Sequence, residues 1–314
     1  MIVTVTANPS LDRAVTLAAP LRHGEVQPGT AAREDAGGKG INVSRVVAGA
    51  DAETLAVLPL AADDPFAGPL EATGIATRIV PIAGQARSNL TILDPDGTTT
   101  KVNLAGSALG EAETRALIDE VVSASDGARW LVLAGSVPPG AGTDLYVRVI
   151  RAVRERCADA APRIAVDTSG AALQAVVEQG LADLIKPNDE ELAELAALPA
   201  DPTDPESVER VARTLVPHRV RAALVTLGAA GAVLVTAEES WFAVAPRIVP
   251  VSTVGAGDSS LAGYLLAESA AASAPDSLRQ AVRYGAAAAT LPGTQAPLPS
   301  DLPTEDITVR RIRR

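Results

Sequence analysis

Short runs of apolar, often β-branched residues alternate with longer segments of helical periodicity along almost the whole chain, and this alternation limits the folds available to it. We predict strands over residues 2–7, 54–58, 130–134, 163–167, 182–186, 222–226 and 232–236. We predict helices over residues 40–48, 111–124, 143–158, 171–178, 189–196, 206–216, 258–272 and 277–291. Strands and helices in alternation form right-handed βαβ units. The pattern therefore predicts an α/β fold with a doubly wound, mostly parallel sheet flanked by helices.

The residue composition suits such a sheet. Hydrophobic residues make up 47% of the 314 residues and charged residues 21%, so a large buried core is expected and disorder is not. Aromatic residues make up only 2%. The core must therefore consist mainly of Ala, Val, Leu and Ile, as in helices packed closely on a parallel sheet.

One segment interrupts the alternation. Residues 89–93 and 98–102 are strand-like, and the sequence Asp-Pro-Asp-Gly between them is typical of a hairpin turn. Together with residues 14–17, this hairpin predicts a small β-sheet lid added to the main sheet. We place the lid elements near residues 12–32 and 86–106.

The rest of the chain gives no sign of a second domain. The proline-rich stretch at residues 199–205 is typical of a surface loop between two helices. We therefore predict one domain over residues 1–314.

Simple counts disfavour several classes of protein. The formal net charge of −11 argues against a nucleic-acid partner, which needs a basic surface. The single Cys157 rules out an internal disulfide, and His23 and His218 have no cysteine cluster that would indicate a zinc site. The N-terminus lacks the pattern of a signal peptide, and no uncharged run reaches the roughly 18 residues that cross a bilayer. We therefore expect a cytoplasmic protein with no membrane partner.

The strongest motif is Ser-Thr-Val-Gly-Ala-Gly-Asp-Ser at residues 252–259, at the start of a predicted helix. Backbone N–H groups and the positive end of the helix dipole meet there, and Gly255 and Gly257 let an anion approach them. Asp258 could accept a proton from a hydroxyl while these N–H groups hold a phosphoryl group. The alternative is that Asp258 only caps the helix. A nicotinamide-binding fingerprint fits poorly, since the motif comes late and lacks a third glycine, and no Walker A sequence occurs.

A second motif, Ala-Gly-Gly-Lys-Gly-Ile-Asn-Val at residues 36–43, also begins a predicted helix. Its glycines suit an oxyanion, with Lys39 supplying charge and Asn42 hydrogen bonds, although glycine pairs also mark ordinary turns. Asp12 follows the first predicted strand, at the edge where open α/β sheets bind ligands. Asp12 could hold sugar hydroxyls, although Asn-Pro-Ser before it is also a common turn.

Two further segments suit a nucleotide. Asn188 and Glu191 share one face of a helix start and could hold Mg²⁺ through water, although acidic residues are expected there because of the helix dipole. The glycines in Thr-Leu-Gly-Ala-Ala-Gly at residues 226–231 could pass close to a nucleotide, and a plain hairpin explains them equally well.

Lysine is rare in this chain. Of the 27 basic Lys and Arg residues only three are lysines, Lys39, Lys101 and Lys186, and 27 − 3 = 24 are arginines. A position that keeps lysine indicates a need for a compact charge, because arginine does not replace it at a tight site. All three lysines fall in the segments discussed here.

In order and wording, these segments resemble the ribokinase-like (PfkB) carbohydrate kinase family, in its phosphosugar branch. The resemblance extends over essentially the whole chain. It rests on Asn-Pro-x-x-Asp at residues 8–12, Gly-Gly-Lys-Gly-Ile-Asn at 37–42, Gly-Ser-Val-Pro-Pro-Gly at 135–140, Asp-Thr-Ser-Gly at 167–170, Lys-Pro-Asn-x-x-Glu at 186–191, Leu-Gly-x-x-Gly at 227–231 and Val-Gly-Ala-Gly-Asp-Ser at 254–259.

The resemblance implies a ribokinase-like doubly wound sheet with a β lid, ATP-dependent phosphoryl transfer to an alcohol group, and a homodimer through the lids. It implies that Asp258 is the base and that Gly255, Ala256 and Gly257 form the anion hole. We expect the sugar phosphate to contact Asp12, Gly38, Lys39, Asn42, Arg87, Asn89, Lys101 and Ser136. We expect ATP to contact Lys186, Asn188, Thr226, Leu227, Gly228, Ala229, Ala230, Gly231 and Gly257. Mg²⁺ would be held through water by Asn188 and Glu191, and K⁺ is a further candidate ion.

The substrate expected from this resemblance is D-fructose 1-phosphate, converted to the 1,6-bisphosphate. The Gly-Gly-Lys-Gly wording is similar to that of fructose-1-phosphate and tagatose-6-phosphate kinases, and we expect Lys39, Arg87 and Lys101 to converge on the phosphate that the sugar already carries. Arg87 and Lys101 could instead be solvated charges of the lid. Asn-Leu-Ala-Gly-Ser at residues 103–107 departs from the Asn-Glu-Pro-Gly-Pro of many fructose-1-phosphate kinases. A 6-phosphofructokinase, a tagatose-6-phosphate kinase, a kinase of a neutral sugar and a catalytically silent nucleotide-binding regulator therefore remain alternatives.

Overall fold

The computed structural model describes residues 1–312 of the chain. Its strands are β1 Ile2–Thr6, β2 Ser10–Leu17, β3 Gly29–Gly37, β4 Thr54–Leu60, β5 Thr77–Pro81, β6 Arg87–Leu93, β7 Thr99–Asn103, β8 Trp130–Ala134, β9 Arg163–Asp167, β10 Leu184–Ile185, β11 Ala222–Thr226, β12 Gly231–Val235, β13 Ser240–Val244 and β14 Val309–Arg311. Its α-helices are α1 Lys39–Gly49, α2 Ala67–Glu71, α3 Glu111–Ala124, α4 Leu145–Cys157, α5 Gly170–Glu178, α6 Asp189–Ala196, α7 Pro205–Arg213, α8 Ala256–Ser269 and α9 Ala274–Ala289.

The main sheet has ten strands in the order β5-β4-β1-β8-β9-β10-β11-β12-β13-β14. The seven strands from β5 to β11 are parallel, and β12, β13 and β14 extend the sheet by antiparallel pairing. The predicted class, an α/β fold with a mostly parallel sheet, is therefore confirmed. The sequence pattern found the central strands and missed the edge strands β5, β13 and β14, where the alternation is weaker.

Helices cover both faces of this sheet. Residues of α3, α4, α5, α6 and α7 pack on one face, and residues of α1, α8 and α9 pack on the other. Within β1 the side chains alternate between the two cores, since Val3 and Val5 face one and Ile2 faces the other. None of the helices described in residues 1–312 has the length and apolar character to span a bilayer.

A second, separate sheet has four strands in the order β3-β2-β6-β7. It contains the predicted hairpin as β6 and β7, and β2 pairs in parallel with β6. Its partner strand β3 runs to Gly37 and leads directly into α1, a connection that the sequence did not predict. A small apolar cluster that includes Leu11, Ile41 and Phe66 packs this sheet against the main body.

The helix starts differ in a way that matters for ligand binding. Asn188, Asp204 and Ser273 accept backbone hydrogen bonds at the starts of α6, α7 and α9. In contrast, α1 and α8 begin after Gly38 and Gly255, which have no side chain to cap the helix. The N-termini of α1 and α8 are therefore two places where an external anion could take the role of a cap.

Candidate active site

A cavity of about 1120 Å³ lies between the small sheet and the carboxyl ends of the main-sheet strands. Ser10 and Arg87 of the small sheet line one side, and Lys186 and Thr226, at the ends of neighbouring parallel strands, line another. Residues at the N-terminus of α8, among them Gly255 and Asp258, also line the cavity. This is the edge of an open α/β sheet at which ligands bind.

Asp258 lies in the first turn of α8 and is 6% exposed. It does not cap its own helix, because the cap residue is Gly255 and no side chain makes the capping hydrogen bond. Instead, Asn42 Nδ2 donates to Asp258 Oδ2 at 2.8 Å. No group within residues 1–312 accepts a hydrogen bond from the backbone N–H of Gly257 or Asp258. The carboxylate and the free N–H groups therefore face the cavity together.

The environment of Asp258 suits a proton acceptor. Burial, followed by the negative charge of Asp167, raises the pKa of Asp258 to about 6, and Lys39, Asn42 and Lys186 act in the opposite direction. A carboxyl group with this pKa is ionised at pH 7 but is a stronger base than an exposed aspartate.

Behind Asp258 lies a buried ion cluster that the sequence did not predict. Asp167, at the end of β9, is completely buried. Lys39 Nζ donates to its Oδ1 at 2.7 Å, and Lys186 Nζ lies 3.2 Å from its Oδ2. Burial alone would raise the pKa of Asp167, but the two ammonium groups hold it below its usual value. The pKa of Lys39 is raised, chiefly by Asp167.

The glycines around Lys39 serve close packing as well as ligand access. A Cβ atom on Gly38 would lie 2.5 Å from Thr6 Cγ2, and one on Gly40 would lie 2.6 Å from Thr6 Oγ1 and 2.7 Å from Val5 O. Gly38 also has a φ of 135°, which favours glycine. The contacts let α1 start directly on the end of β1, where Thr6 Oγ1 accepts a hydrogen bond from Ile41 N.

The small sheet contributes a polar cluster at its own end of the cavity. Ser10 Oγ and Asn89 Nδ2 both donate to Asp12 Oδ1 at 2.8 Å. Burial raises the pKa of Asp12, against the hydrogen bonds from Ser10 and Asn89 and the charge of Arg87. Within residues 1–312, Arg87 Nε, Asn89 Oδ1 and Asn42 Oδ1 are buried without a hydrogen-bond partner. Such groups are costly unless a ligand satisfies them, so this end is suited to a polar ligand.

The strand–turn–strand predicted at Thr226 is confirmed as β11, a 3₁₀ turn at Gly228–Ala230 and β12. Gly231 has a φ of 123°, and a Cβ atom there would collide with the backbone of Ala243. Gly257 passes close to Lys186, since a Cβ on Gly257 would lie 3.2 Å from Lys186 Nζ. The glycines therefore permit backbone approaches that side chains would block.

The structure brings together most of the residues that the sequence singled out. Those that line the cavity are Asp12, Gly38, Lys39, Asn42, Arg87, Asn89, Lys186, Asn188, Glu191, Thr226, Gly228, Ala229, Gly231, Gly255, Ala256, Gly257 and Asp258. Leu227 and Ala230 belong to the same turn but do not line it. Ser136 is exposed and accepts a hydrogen bond from Asn8 Nδ2 instead. Lys101 is exposed on β7 and does not line the cavity, so its expected convergence with Arg87 and Lys39 stays a prediction.

Other lining residues escaped the sequence prediction. They come from the loop before α8, from α9 and from the segment after α9, and include Ala245, Pro246, Arg247, Ile248, Thr253, Val282, Gly285, Ala286, Ala289 and Thr294. Most of the loop residues lack the polar side chains on which motif searches depend; Arg247 and Thr253 are the polar ones in this list. The small residues of α9 were a signal in the sequence for close packing of this helix. A Cβ on Gly285 would collide with Ser260 Oγ where α9 crosses α8.

Comparison with known proteins agrees with this geometry. The model of the pfkB family carbohydrate kinases matches residues 5–301. The chain is 33% identical over 310 residues to 1-phosphofructokinase of Rhodobacter capsulatus, covering 96% of this chain and 94% of that protein. It is 32% identical to ATP-dependent 6-phosphofructokinase isozyme 2 of Escherichia coli over 94% of both chains. The crystal structure of Escherichia coli phosphofructokinase-2 in complex with substrates and products superposes with a TM-score of 0.87 at 31% identity, covering 96% of each chain. The chain belongs to the pfkB family of carbohydrate kinases.

Proposed function

We propose that this protein transfers the γ-phosphoryl group of ATP to D-fructose 1-phosphate, giving fructose 1,6-bisphosphate. The observation that carries the proposal is the buried Asp258 carboxylate beside the uncapped N-terminus of α8. This arrangement offers a proton acceptor and an anion site within one helical turn. The similarity to 1-phosphofructokinase of Rhodobacter capsulatus supports the choice of sugar.

The residues divide the reaction between them. The sugar hydroxyl would lose its proton to Asp258 as its oxygen bonds to the γ-phosphorus, and the bond to the bridging oxygen of ADP would break with its electron pair leaving on ADP. The N–H groups of Gly257 and Asp258 would bind the oxygens of the phosphoryl group in transfer. Asn42 orients the base through its 2.8 Å hydrogen bond.

The alternatives differ in which sugar is accepted. Relatives named 6-phosphofructokinase match almost as well as those named 1-phosphofructokinase, so identity alone does not choose between them. A coupled assay of ADP release should compare fructose 1-phosphate, fructose 6-phosphate, tagatose 6-phosphate and neutral fructose. The highest kcat/KM is expected with fructose 1-phosphate. A clear preference for either 6-phosphate or for fructose would overturn the substrate choice, and no turnover with any sugar would favour a silent nucleotide-binding protein.

Mg²⁺ fits the donors that the structure provides at the start of α6. Asn188 Oδ1 accepts from Glu191 N at 2.7 Å, and Glu191 Oε2 accepts from Asn188 N at 3.0 Å. Each side chain is therefore held in place by the backbone N–H of the other residue. Glu191 Oε1 accepts no hydrogen bond within residues 1–312, and both residues line the cavity. Magnesium usually keeps several waters and binds one or two carboxylates together with substrate phosphates. The ion would neutralise charge on the ATP phosphates, and Glu191 would orient its waters.

We therefore expect Glu191→Gln to raise the Mg²⁺ concentration needed for half-maximal rate by roughly 3- to 10-fold, because it removes the only charge in this pair. A titration of MgCl₂ at a fixed, saturating ATP concentration measures the effect. Glu194→Gln is the matched control, since Glu194 is an exposed acid of the same helix that does not line the cavity. An identical titration for both variants would remove Glu191 from the metal site.

The pH dependence should report Asp258. Its pKa is raised to about 6, so the base is lost to protonation as the pH falls through 6. We expect kcat/KM to be constant above about pH 7 and to drop roughly tenfold per pH unit well below 6. A sugar phosphate titrates near pH 6 itself, so the profile should be repeated with neutral fructose, which has no such group. A fructose profile that stays flat down to pH 5 would contradict the assignment.

The small sheet is proposed to act as the lid and as the surface through which two copies pair. Its outer strands β3 and β7 are exposed along most of their length, and Val102 and Leu104 are 48% and 55% exposed. Analytical sedimentation should show a dimer for the wild type and a monomer for Val102→Asp. A monomeric wild type would contradict the proposed pairing. A dependence on K⁺ and a cytoplasmic location remain predictions from the sequence.

A further inference from the structure

The cavity offers a nucleotide base no aromatic side chain. Two Phe, two Trp and three Tyr are all the aromatic residues of the chain, and none of them is among the cavity-lining residues of its described part. A purine base has two flat π-faces, which proteins often cover with an aromatic ring or with the plane of an arginine guanidinium group. Of these two planar groups, only arginine is available among the lining residues.

An apolar wall borders the cavity where the chain runs from β13 to α8. The wall starts beside the turn at Gly228–Ala230, since Ala245 N donates to Ala230 O at 3.4 Å. It also meets the end of α9, since Val251 N donates to Ala289 O at 2.8 Å. The N–H groups at the start of α8 suit the phosphates, so this wall is the part of the cavity that suits the base. Its apolar lining residues are Pro246, Ile248 and Pro250 of this segment and Val282, Ala286 and Ala289 of α9.

Arg247 is the only charged residue of the segment 245–254 that forms this wall. It lines the cavity and is exposed, and no residue within 1–312 gives its side chain a hydrogen bond or an ion pair. The other cations that line the cavity, Lys39, Lys186 and Arg87, all have a partner. The chain has 38 acidic residues against 27 basic ones, so a shortage of acids does not explain the unpaired arginine. Its guanidinium plane is free to lie against a ligand.

We propose that the guanidinium plane of Arg247 stacks on the purine base of ATP and so contributes to the affinity for the nucleotide. The inference rests on the proposed kinase function. Arginine suits this contact because its group is planar, always charged and less strongly hydrated than an ammonium group. A cation over the face of a π-system is attracted by the quadrupole of the ring. Because Arg247 lies on the apolar wall, it acts on the base and not on the phosphates.

The first test separates the base from the phosphates. Arg247→Met removes the plane and the charge and keeps an apolar side chain. Calorimetric titration of the full-length protein with Mg²⁺ and without sugar should show the Kd of ATP raised about 3–10-fold. The Kd of inorganic tripolyphosphate, which has no base, should change less than about twofold. An equal loss on tripolyphosphate would place Arg247 on the phosphates and overturn the inference, and an unchanged Kd of ATP would remove Arg247 from the site.

Two further variants separate the plane of the group from its charge. Arg247→Tyr keeps a flat face without a charge, and Arg247→Lys keeps the charge without the plane. Stacking predicts that the tyrosine variant binds ATP within about threefold of the wild type and more tightly than the lysine variant. A contact with the phosphates predicts the reverse order, which would contradict the proposal.

Arg156→Met is the matched control. Arg156 is an exposed arginine of α4 that makes no ion pair within residues 1–312 and does not line the cavity. Its replacement should leave the Kd of ATP unchanged. An equal loss in this variant would mean that the net charge of the protein, and not a contact at the base, controls the affinity.

The outcome for Arg247 can be told apart from the outcome for the proposed reaction, because binding is measured without a sugar. A wild type that binds ATP but phosphorylates a different sugar contradicts the choice of sugar alone, and the same Kd values still decide on Arg247. A wild type that binds no ATP contradicts both the kinase function and the role of Arg247.

Discussion

Asp258→Asn is expected to lower kcat by about 10²–10⁴, the usual contribution of a positioned general base, with little change in the KM values of ATP and sugar. Asparagine keeps the shape and can still accept the hydrogen bond from Asn42 Nδ2 that Asp258 accepts at 2.8 Å. It cannot take the proton of the sugar hydroxyl. Single-turnover measurements with saturating substrates isolate this step from product release.

The stability of the same variant provides an independent readout. The pKa of Asp258 is raised from 3.8 to about 6, so its contribution to stability is present below pH 3.8 and is lost as the pH rises through 6. At pH 8 the ionised carboxylate therefore costs stability that a neutral asparagine does not. We expect the Tm of Asp258→Asn to equal or exceed that of the wild type at pH 8, with a smaller advantage at pH 5.

Asp276→Asn is the control for this pair of measurements. Asp276 is an exposed acid in the first turn of the neighbouring helix α9. Its replacement should leave kcat unchanged. If Asp258→Asn retained more than about a tenth of the wild-type turnover, the carboxylate would have no role as the base. A lowered Tm at pH 8 would instead show that Asp258 is needed for the fold.

The sequence was most informative where chemistry and local structure depend on the same few residues. The turn around Gly255 and Gly257 was recognisable because bare backbone at a helix start has few other uses. The hairpin between β6 and β7 was recognisable from its turn residues alone. Both signals are local, so a single chain suffices to find them.

The buried ion cluster was out of reach for the opposite reason. Asp167 is 128 residues from Lys39 in sequence, and nothing near it indicates which charges meet there. Lys101 lies on β7, where the hairpin signal places it, yet it does not line the cavity as Asn89 on β6 does. In these cases the sequence supplied the residue types correctly, and only the packing of distant elements decided which of them meet.

Arg87→Met should have the second large effect, on recognition of the phosphate that the sugar already carries. Arg87 begins β6 and lines the cavity beside Asp12 and Asn89. Its Nη1 donates to Leu104 O at 3.3 Å, and its buried Nε has no hydrogen-bond partner in the described part of the chain. Burial lowers the pKa of Arg87, against the charge of Asp12. A guanidinium group held this way is short of acceptors, and a phosphate supplies them in matching geometry.

We expect Arg87→Met to lower kcat/KM for fructose 1-phosphate by about 10–150-fold, because a charge-assisted hydrogen bond contributes roughly 1.5–3 kcal/mol. The loss should come from KM, and neutral fructose should be affected less than about twofold. Arg13→Met is the matched control, since Arg13 is an exposed arginine of the same sheet that pairs with Glu34. An equal loss on fructose would show that Arg87 supports the sheet and not the phosphate.

The variant Lys101→Met tests whether Lys101 acts with Arg87 and Lys39 on the phosphate that the sugar already carries. Because Lys101 is exposed on β7 and does not line the cavity, we expect its replacement to change kcat/KM for fructose 1-phosphate less than about threefold. A loss as large as that of Arg87→Met would mean that the small sheet closes over the sugar and carries Lys101 to the phosphate. The double variant of Arg87→Met and Lys39→Met measures whether these two cations act independently. Losses in kcat/KM that add would mean that they do. Losses that do not add would place both cations on one phosphate, as the sequence first suggested.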